Sequence, residues 1–516
     1  MATTLRGATL VATGIFLSRI SGFLRVSVFA HYFGNSAAAD AFNAAMRIPN
    51  FLQNLFGEGV LSASFIPVYA RLDAEGRKEE ASRLAYTIFS FLVLLVASLV
   101  GAGIVATPLL IGLIAPGFTG ERQVLAILLV RIFFPATGLL VLSAWCLGVL
   151  NSHRKFFLSY VAPVVWNAAI IAALLLFGHN EQAALAIYVA YAAVIGSLLQ
   201  FLVQLPSAIK ILGRVRLQIV FDTFVNEVLR NFLPVVIGRG IVQISAYFDS
   251  LLASLLPAGA VAALGYAQML YLLPVSLFGM SVSAAELPEM SRTIGSDEQY
   301  HQLREKLRVG LERIAFFVIP SATVFLLFGD IVIGVLLESG QFRRADSVYV
   351  WATLAGSSVG LLSVTFGRLY ASTFYALKDT RSPLRFAIVR VVVSIASGIP
   401  LALYLPPKLG LSAAWGVVGI TLASSLGGWM ECLLLRRSLC RRIGKVNVEL
   451  KRIMLAAVLA AAPALAIKSL SDFKPMLMVA FVVVPFGIIY LTTARWLAVA
   501  VAVELLDKIR RRLLKR

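Results

Sequence analysis

"TIFSFLVLLVASLVGAGIVATPLLIGLIA" (residues 87–115) carries no charged side chain from end to end. A helix rises about 1.5 Å per residue, so about 20 such residues cross the roughly 30 Å of hydrocarbon in a bilayer. "PMLMVAFVVVPFGIIYLTTARWLAVAVAV" (475–503) is of the same kind, interrupted by Arg495 alone. The whole chain of 516 residues follows suit: 59% is hydrophobic and 14% charged, with a mean hydropathy of +0.87. A soluble domain is nearer about 25% charged and has no core large enough for so many apolar runs. The pattern therefore predicts an all-α polytopic membrane protein.

Working outward from those two runs, fourteen spans are expected, at 7–31, 40–69, 84–115, 123–149, 157–178, 183–208, 231–256, 259–289, 309–337, 347–375, 384–404, 410–434, 452–470 and 475–503. The first has no small-residue cleavage pattern behind it and reads as a retained span rather than a signal peptide. Lys and Arg set the orientation. They gather at Arg71, Arg77, Lys78 and Arg83, at Lys210, Arg214, Arg216 and Arg230, between Arg436 and Arg452, and between Lys508 and Arg516. Those segments are cytoplasmic if both termini lie inside, in keeping with an even number of spans. The net charge of +20 then belongs to the inner membrane surface, where anionic lipids are the expected partners, and a nucleic-acid partner is not expected.

Cys146, Cys432 and Cys440 form no CxxC pair, and His31, His153, His179 and His301 have no metal-ligand spacing. No nucleotide-binding loop, nucleophile elbow or zinc-protease motif stands on a strand-to-helix turn. The expectation is a protein that is not an enzyme and needs no cofactor or metal.

The chain repeats itself. "LFGEGVLSASFIPVYARLDAEGR" (55–77) lies over "LFGMSVSAAELPEMSRTIGSDEQ" (277–299), and at the same offset "LLIGLIAPG" (109–117) lies over "IVIGVLLES" (331–339). Two copies of six spans enter the membrane in the same sense, because six is even. That predicts two parallel six-helix lobes, 1–216 and 217–440, related by a pseudo-twofold axis along the membrane normal, with the substrate site at their interface. Residues 441–516 add two further helices and a basic tail. The competing explanation is chance similarity among apolar, Gly/Ser-rich segments.

A charge in hydrocarbon costs at least about 2.5–3.5 kcal/mol on insertion scales, so charges inside spans usually face a cavity. Arg131, Arg313, Arg390 and Arg495 are read as snorkelling to an interface. Four arginines stand out. Arg19 and Arg25 share the first span with Ser18, Ser21 and Gly22. In "DAFNAAMRIPNFLQN", Asn43, Arg47, Asn50 and Asn54 fall on one helical stripe, and Pro49 is expected to kink the helix. Arg239 lies between glycines, one turn before Gln243. Together they make a cationic cavity suited to phosphate or carboxylate, hence to an anionic amphiphile. The alternative is ion pairing with Asp40, Glu58, Asp249 or Glu286.

"SRISGFLR", "ADAFNAAMRIPNFLQNLFGEGVLSASFIPVYARL", "APGF" and "FYALKDTRSPLR" resemble the MurJ (MviN) family, the lipid II flippases of peptidoglycan synthesis, within the multidrug/oligosaccharidyl-lipid/polysaccharide exporter superfamily. The resemblance covers the whole chain. It implies alternating access by two lobes in the bacterial cytoplasmic membrane and transfer of an undecaprenyl-diphosphate-linked disaccharide-pentapeptide from the inner to the outer leaflet. Cell-wall synthesis enzymes are the partners it suggests. It also implies that Arg19 and Arg25 match the family's arginines in the first span, and Asp40 its acidic residue at the head of the second. Where the family often has an arginine before the GEG block, this chain has Gln53 and Asn54; where another sits in the eighth span, it has Gln268 and Met269. Arg47 and Arg239 are expected to supply that charge. A flippase for another polyprenyl-linked glycan, a drug antiporter of the same superfamily and a membrane-embedded polyprenyl-phosphate enzyme remain as alternatives. An acidic cavity for cationic drugs and a carboxylate or histidine cluster for the enzyme are both missing from the sequence.

"NLFGEGVLSASFIPVY" (54–69) places Glu58 between Gly57 and Gly59, with Ser62 one turn on. Small residues let helices approach closely, so this block, with Pro49 before it, is read as a gate or hinge and Pro67 as the end of the span. A static helix with Glu58 at the cytoplasmic interface is the other reading. Without a nucleotide motif, transport must draw on an ion gradient or the membrane potential. Asp249 and Asp379 are the candidate coupling acids, although "LKDTRSP" also reads as a turn in which Asp379 caps the next helix.

Overall fold

Long apolar runs with few internal breakers form helices because in hydrocarbon each backbone N–H and C=O must be satisfied within its own segment. The computed structural model describes residues 2–153, 155–213, 218–283, 290, 297–470 and 473–514. Those residues are helical almost throughout, and among them the sole β feature is an isolated bridge between Ser339 and Phe342. The helices are α1 (Ala2–Phe33), α2 (Ala37–Phe56), α3 (Glu58–Ala74), α4 (Lys78–Ile114), α5 (Gly120–Ser152), α6 (Phe156–Phe177), α7 (Gln182–Leu212) and α8 (Thr223–Ser254). There follow α9 (Ala260–Pro274), α10 (Asp297–Leu337), α11 (Arg344–Ser358), α12 (Leu361–Ala376), α13 (Arg381–Ile399), α14 (Gly416–Ile443), α15 (Leu450–Leu470), α16 (Val484–Trp496) and α17 (Ala500–Leu514).

Among the described residues eleven helical segments are long and apolar enough to cross a membrane. The three expected spans outside that set are α1, the α2–α3 pair and α8. Each carries ionisable residues in its interior: Arg19 and Arg25, then Asp40 and Arg47, then Arg239 and Asp249. α2 and α3 are separated at Gly57, and α3 is only 17 residues long, while α1 and α8 include side chains outside the described residues.

Several boundaries differ from expectation. The second span is two helices. Pro49 leaves α2 continuous, and the break falls at Gly57, whose added Cβ would lie 2.3 Å from the Gln53 carbonyl oxygen. Pro67 lies inside α3 rather than ending it. The last span ends at Trp496, where Ala498 takes a left-handed φ of 54°, and α17 follows as a separate helix. The span at 347–375 is divided at Val359 and Gly360 into α11 and α12.

The chain forms two compact units, Met1–Ala262 with Ser339–Phe342, and Ala263–Glu338 with Arg343–Arg516. In the first, α5 is central and packs on α2, α4 and α7, while α6 packs on α1 and α7, and α8 on α3 and α4. Phe65, Tyr69, Leu84, Trp145 and Val228 belong to its buried core, and the Trp145 indole donates to the Ala85 carbonyl at 3.0 Å. In the second unit α14 packs on α11, α12 and α13, and α15 and α16 pack on each other, α15 also on α10. The Tyr490 hydroxyl donates to the Phe316 carbonyl at 2.6 Å, tying α16 to α10.

Candidate substrate site

The site is built on α1 and α6. Ser21 and Gly22, small enough for close approach, bring α1 against α6, where Asn167 Nδ2 donates to Ser21 Oγ at 2.9 Å. The next turn of α1 carries Arg25, whose guanidinium lies 5.0 Å from the centroid of the Trp166 ring. The ring is held: its Nε1–H donates to the Ala193 carbonyl at 3.1 Å, and on α7 a Cβ at Gly196 would come within 3.1 Å of the Trp166 Cα. Arg25 Nε is buried and lacks a hydrogen-bond partner among the described residues, and no carboxylate there forms an ion pair with Arg25 or with the exposed Arg19. A cation removed from water without a counter-ion is costly and, on a transporter helix, points to an anionic ligand.

Trp166, over which Arg25 lies, also lines a partly open cavity of about 210 Å³ in the first unit, lined in addition by Asn50, Gln53, Asn167 and Gln200. Two of its amides are fixed, Asn167 to Ser21 and Gln200 Nε2 to Ser143 Oγ at 3.1 Å. The side chains of Asn50 and Gln53 make no hydrogen bond to the described residues. The lining face of α2 is therefore Met46, Asn50 and Gln53, one residue round from the expected stripe of Asn43, Arg47, Asn50 and Asn54. Asn43 instead donates to the Ala39 carbonyl in its own helix at 2.8 Å.

Arg47 interacts with Asp249 of α8, and its carbonyl accepts from the Tyr247 hydroxyl at 3.0 Å. Of the four arginines grouped by sequence, this one follows the ion-pair alternative. Asp40, expected at the substrate, is fully buried with both oxygens in use. Oδ1 accepts from the Ala262 N–H and Oδ2 from the Gly259 N–H, each at 2.7 Å. Arg122 Nη2 also lies 2.7 Å from Oδ2, and its guanidinium stacks 3.7 Å from the centroid of the Phe118 ring. This carboxylate meets the positive end of the helix that starts at Ala260, and at 0% exposure its described partners are all protein groups, unlike the direct contact expected from the resemblance.

Among the gate residues Gly57 is buried, Gly59 is half-buried and Ser62 is exposed. The side chains of Pro49, Glu58, Arg239 and Gln243 lie outside the described residues, as does Glu286. Gln268, in the second unit, is exposed and without a described hydrogen bond.

Asp379 does what a helix cap does. Oδ1 accepts from the backbone N–H groups of Arg381 at 3.0 Å and Ser382 at 2.9 Å, and Oδ2 from the Ser382 hydroxyl at 2.7 Å. Arg442 Nη2 stands 2.6 Å away. The Ser382 hydrogen bonds, then Arg442, hold its carboxyl down to about 2. Asp249 belongs to the first unit and Asp379 to the second, and each has its own cation.

Sequence reasoning missed Trp166, Asn167 and Gln200. The signal for Asn167 was there: it is an amide inside the apolar run 157–178. It also missed Asp330, 3% exposed, which takes Lys468 Nζ at 2.6 Å and Arg344 Nη2 at 2.9 Å. Arg390, read as snorkelling, pairs with Glu431 at 3.3 Å.

Comparison with known proteins bears on this arrangement. Residues 29–490 match the family model "Lipid II flippase MurJ". A relative from Rhizobium meliloti (strain 1021), "Probable lipid II flippase MurJ", is 32% identical over 450 residues, covering 85% of this chain and 80% of its own. The solved structure "Lipid II flippase MurJ, inward closed conformation" is similar with a TM-score of 0.78 and 25% identity, over 95% of this chain and 100% of that one. An inward-facing multidrug-resistance MATE transporter of the MOP superfamily shares the fold alone, at a TM-score of 0.63 and 16% identity over 82% of this chain and 94% of its own.

Proposed function

The chain belongs to the MurJ family of lipid II flippases, and on that premise we propose that it carries lipid II from the inner to the outer leaflet of the bacterial cytoplasmic membrane by alternating access. The observation that carries the reading is Arg25, half-buried on α1, with a buried, unbonded Nε and no carboxylate beside it among the described residues. Arg25 binds the diphosphate, and the exposed Arg19, six residues and less than two turns away on the same helix, meets it on entry or exit. A planar guanidinium takes two phosphate oxygens at once, and such charge-assisted bonds are about twice as strong as neutral ones.

Both termini are cytoplasmic in this reading, and the basic segments lie against anionic lipid. Gly57 is the hinge, since it already separates α2 from α3. The Arg47–Asp249 interaction is the candidate coupling element: a cation or proton taken by Asp249 would release Arg47, and a ligand shifts a conformational equilibrium only by binding one state more tightly. Arg239 and Gln243 add to the same cationic surface. Cell-wall synthesis enzymes receive the product.

The test is replacement. Cells depleted of their lipid II flippase are supplied with this chain or with its Arg25→Ala variant. Wild-type rescue with no rescue by the variant, at equal membrane levels, supports the proposal. Failure of the wild type at a normal membrane level overturns it. The second reading, a flippase for another polyprenyl-diphosphate glycan, is favoured by Gln53 and Gln268 standing where the family often carries arginine; it predicts failed rescue of growth together with binding of the other lipid.

A further inference from the structure

We propose that the amide-lined cavity beside Arg25 is a subsite for an uncharged acetamido sugar ring of the lipid-linked headgroup, with Asn50 and Gln53 of α2 reading that ring. The inference rests on the proposed function, which supplies the diphosphate-linked class of ligand; the subsite and its readers come from the cavity itself.

The lining contains no charged side chain; its polar members are Asn50, Gln53, Asn167 and Gln200. A carboxylate or ammonium placed there would be desolvated without an opposite charge, at a cost of several kcal/mol. A purely apolar occupant, such as part of a polyprenyl chain, would strip water from four amides and give them nothing in return. An amide is donor and acceptor at once, and so are a sugar hydroxyl and an acetamido group. Chemistry therefore selects a neutral ligand rich in both.

The cavity is also arranged to distinguish. Ser21 and Ser143 hold the Asn167 and Gln200 amide nitrogens, so these two amide planes are fixed before a ligand arrives, each with its carbonyl oxygen unengaged by the described residues. Asn50 and Gln53, three residues apart on one helix face, are uncommitted and able to turn toward a bound group. Trp166 adds a flat apolar wall for the C–H face of a pyranose while its indole N–H stays bonded to Ala193. At about 210 Å³ the space exceeds the roughly 150 Å³ that admits benzene in an engineered cavity. It suits one substituted six-membered ring, not an oligosaccharide. The position beside Trp166, over which Arg25 lies, sets the ring next to the anion, as the first sugar of a diphosphate-linked glycan must be.

The experiment compares two probes on the purified full chain in nanodiscs: bare undecaprenyl diphosphate, and undecaprenyl diphosphate carrying an N-acetylated disaccharide. Wild type is expected to bind the glycosylated lipid more tightly. Gln53→Leu and Asn50→Leu are each expected to weaken that binding about tenfold, the scale of a lost pair of hydrogen bonds at a site built for them, with bare-lipid affinity held within about twofold. Arg25→Ala should weaken both probes alike. Unliganded thermal midpoints equal to wild type exclude misfolding, and Gln53→Asn, which keeps an amide, should recover part of the preference. The inference is overturned if wild type binds both probes equally, or if the leucine variants weaken both or neither. If wild type binds neither probe, it is the proposed function that has failed.

Discussion

Two cationic places, one in each unit, solve the same electrostatic problem in opposite ways. In the second unit Lys468 and Arg344 close on Asp330, Lys468 also donates to the Leu327 carbonyl at 2.8 Å, and its ammonium sits 5.1 Å from the Trp351 ring centroid. Charge, hydrogen bonds and aromatic face are all supplied from within the protein, and the result ties α10, α11 and α15 together. In the first unit, among the described residues, Arg25 has the aromatic face alone, with no carboxylate and an unbonded Nε. An ion pair completed inside the fold anchors helices; one left half-made waits for its other half.

The largest expected effect tests that contrast on the incomplete side. Arg25→Ala should reduce lipid II flipping by about 100-fold or more, as loss of charge-assisted phosphate bonds of several kcal/mol implies, and should leave the thermal midpoint unchanged or raised. A variant that flips normally in a reconstituted vesicle assay breaks the comparison. On the complete side, Asp330→Asn should cost about 1–3 kcal/mol of stability, because Lys468 loses its carboxylate, while the half-exposed Arg344 keeps solvent and the nearby Glu338. It would be read as a drop in thermal midpoint in lipid with little loss of specific transport by the surviving protein. A stable Asp330→Asn protein would mean that Lys468 and Arg344 are solvated and do not depend on the carboxylate.

Asp249→Asn sharpens the middle ground, since Arg47 lies between the two cases: it has a counter-charge, but one on another helix of the same unit. Conformational change, followed by paired cysteine crosslinks while sodium and pH are varied, should depend on the cation in wild type and lose that dependence in the variant. The same dependence in both would remove Asp249 from the coupling role and leave the membrane potential acting on the arginines. The smallest effect belongs to Asp379, whose oxygens cap α13 at the surface. Asp379→Asn keeps a capping side chain and loses only the charge, so it should cost about 0–1 kcal/mol, the worth of an exposed ion pair. Its carboxyl is held down to about 2, below the ordinary carboxylate value of about 4, so its contribution is complete above about 4 and is lost as pH falls through about 2. The difference in thermal midpoint between wild type and Asp379→Asn should close across that window.

Much of this protein was legible in its sequence because the bilayer constrains each segment separately. Run length and apolarity are local, so the eleven segments that meet the spanning criterion each overlap a span expected from hydropathy, several extending beyond it by a few residues. The small-residue block around Gly57 marks a real discontinuity for the same reason, since a Cβ there would meet a carbonyl four residues back on its own helix. Arg25 could be singled out on its own, as a charge in hydrocarbon needs an explanation wherever it occurs.

What only the tertiary structure decided is which partner each polar group meets. Asp40 looked like a ligand-facing carboxylate and is instead consumed by Arg122 and by two N–H groups more than 200 residues away in the chain. Asn43 and Arg47 belonged to the expected stripe on α2, yet the face that meets the cavity is that of Met46, Asn50 and Gln53. Helical period tells which residues share a face but not toward which neighbour that face is turned. Arg344 and Lys468 are 124 residues apart in the chain, and it is α10 that brings Asp330 between them. The cost of an unpaired charge is paid or waived by residues remote in sequence, and so the division of these cations into anchors and ligand sites is a property of the packing alone.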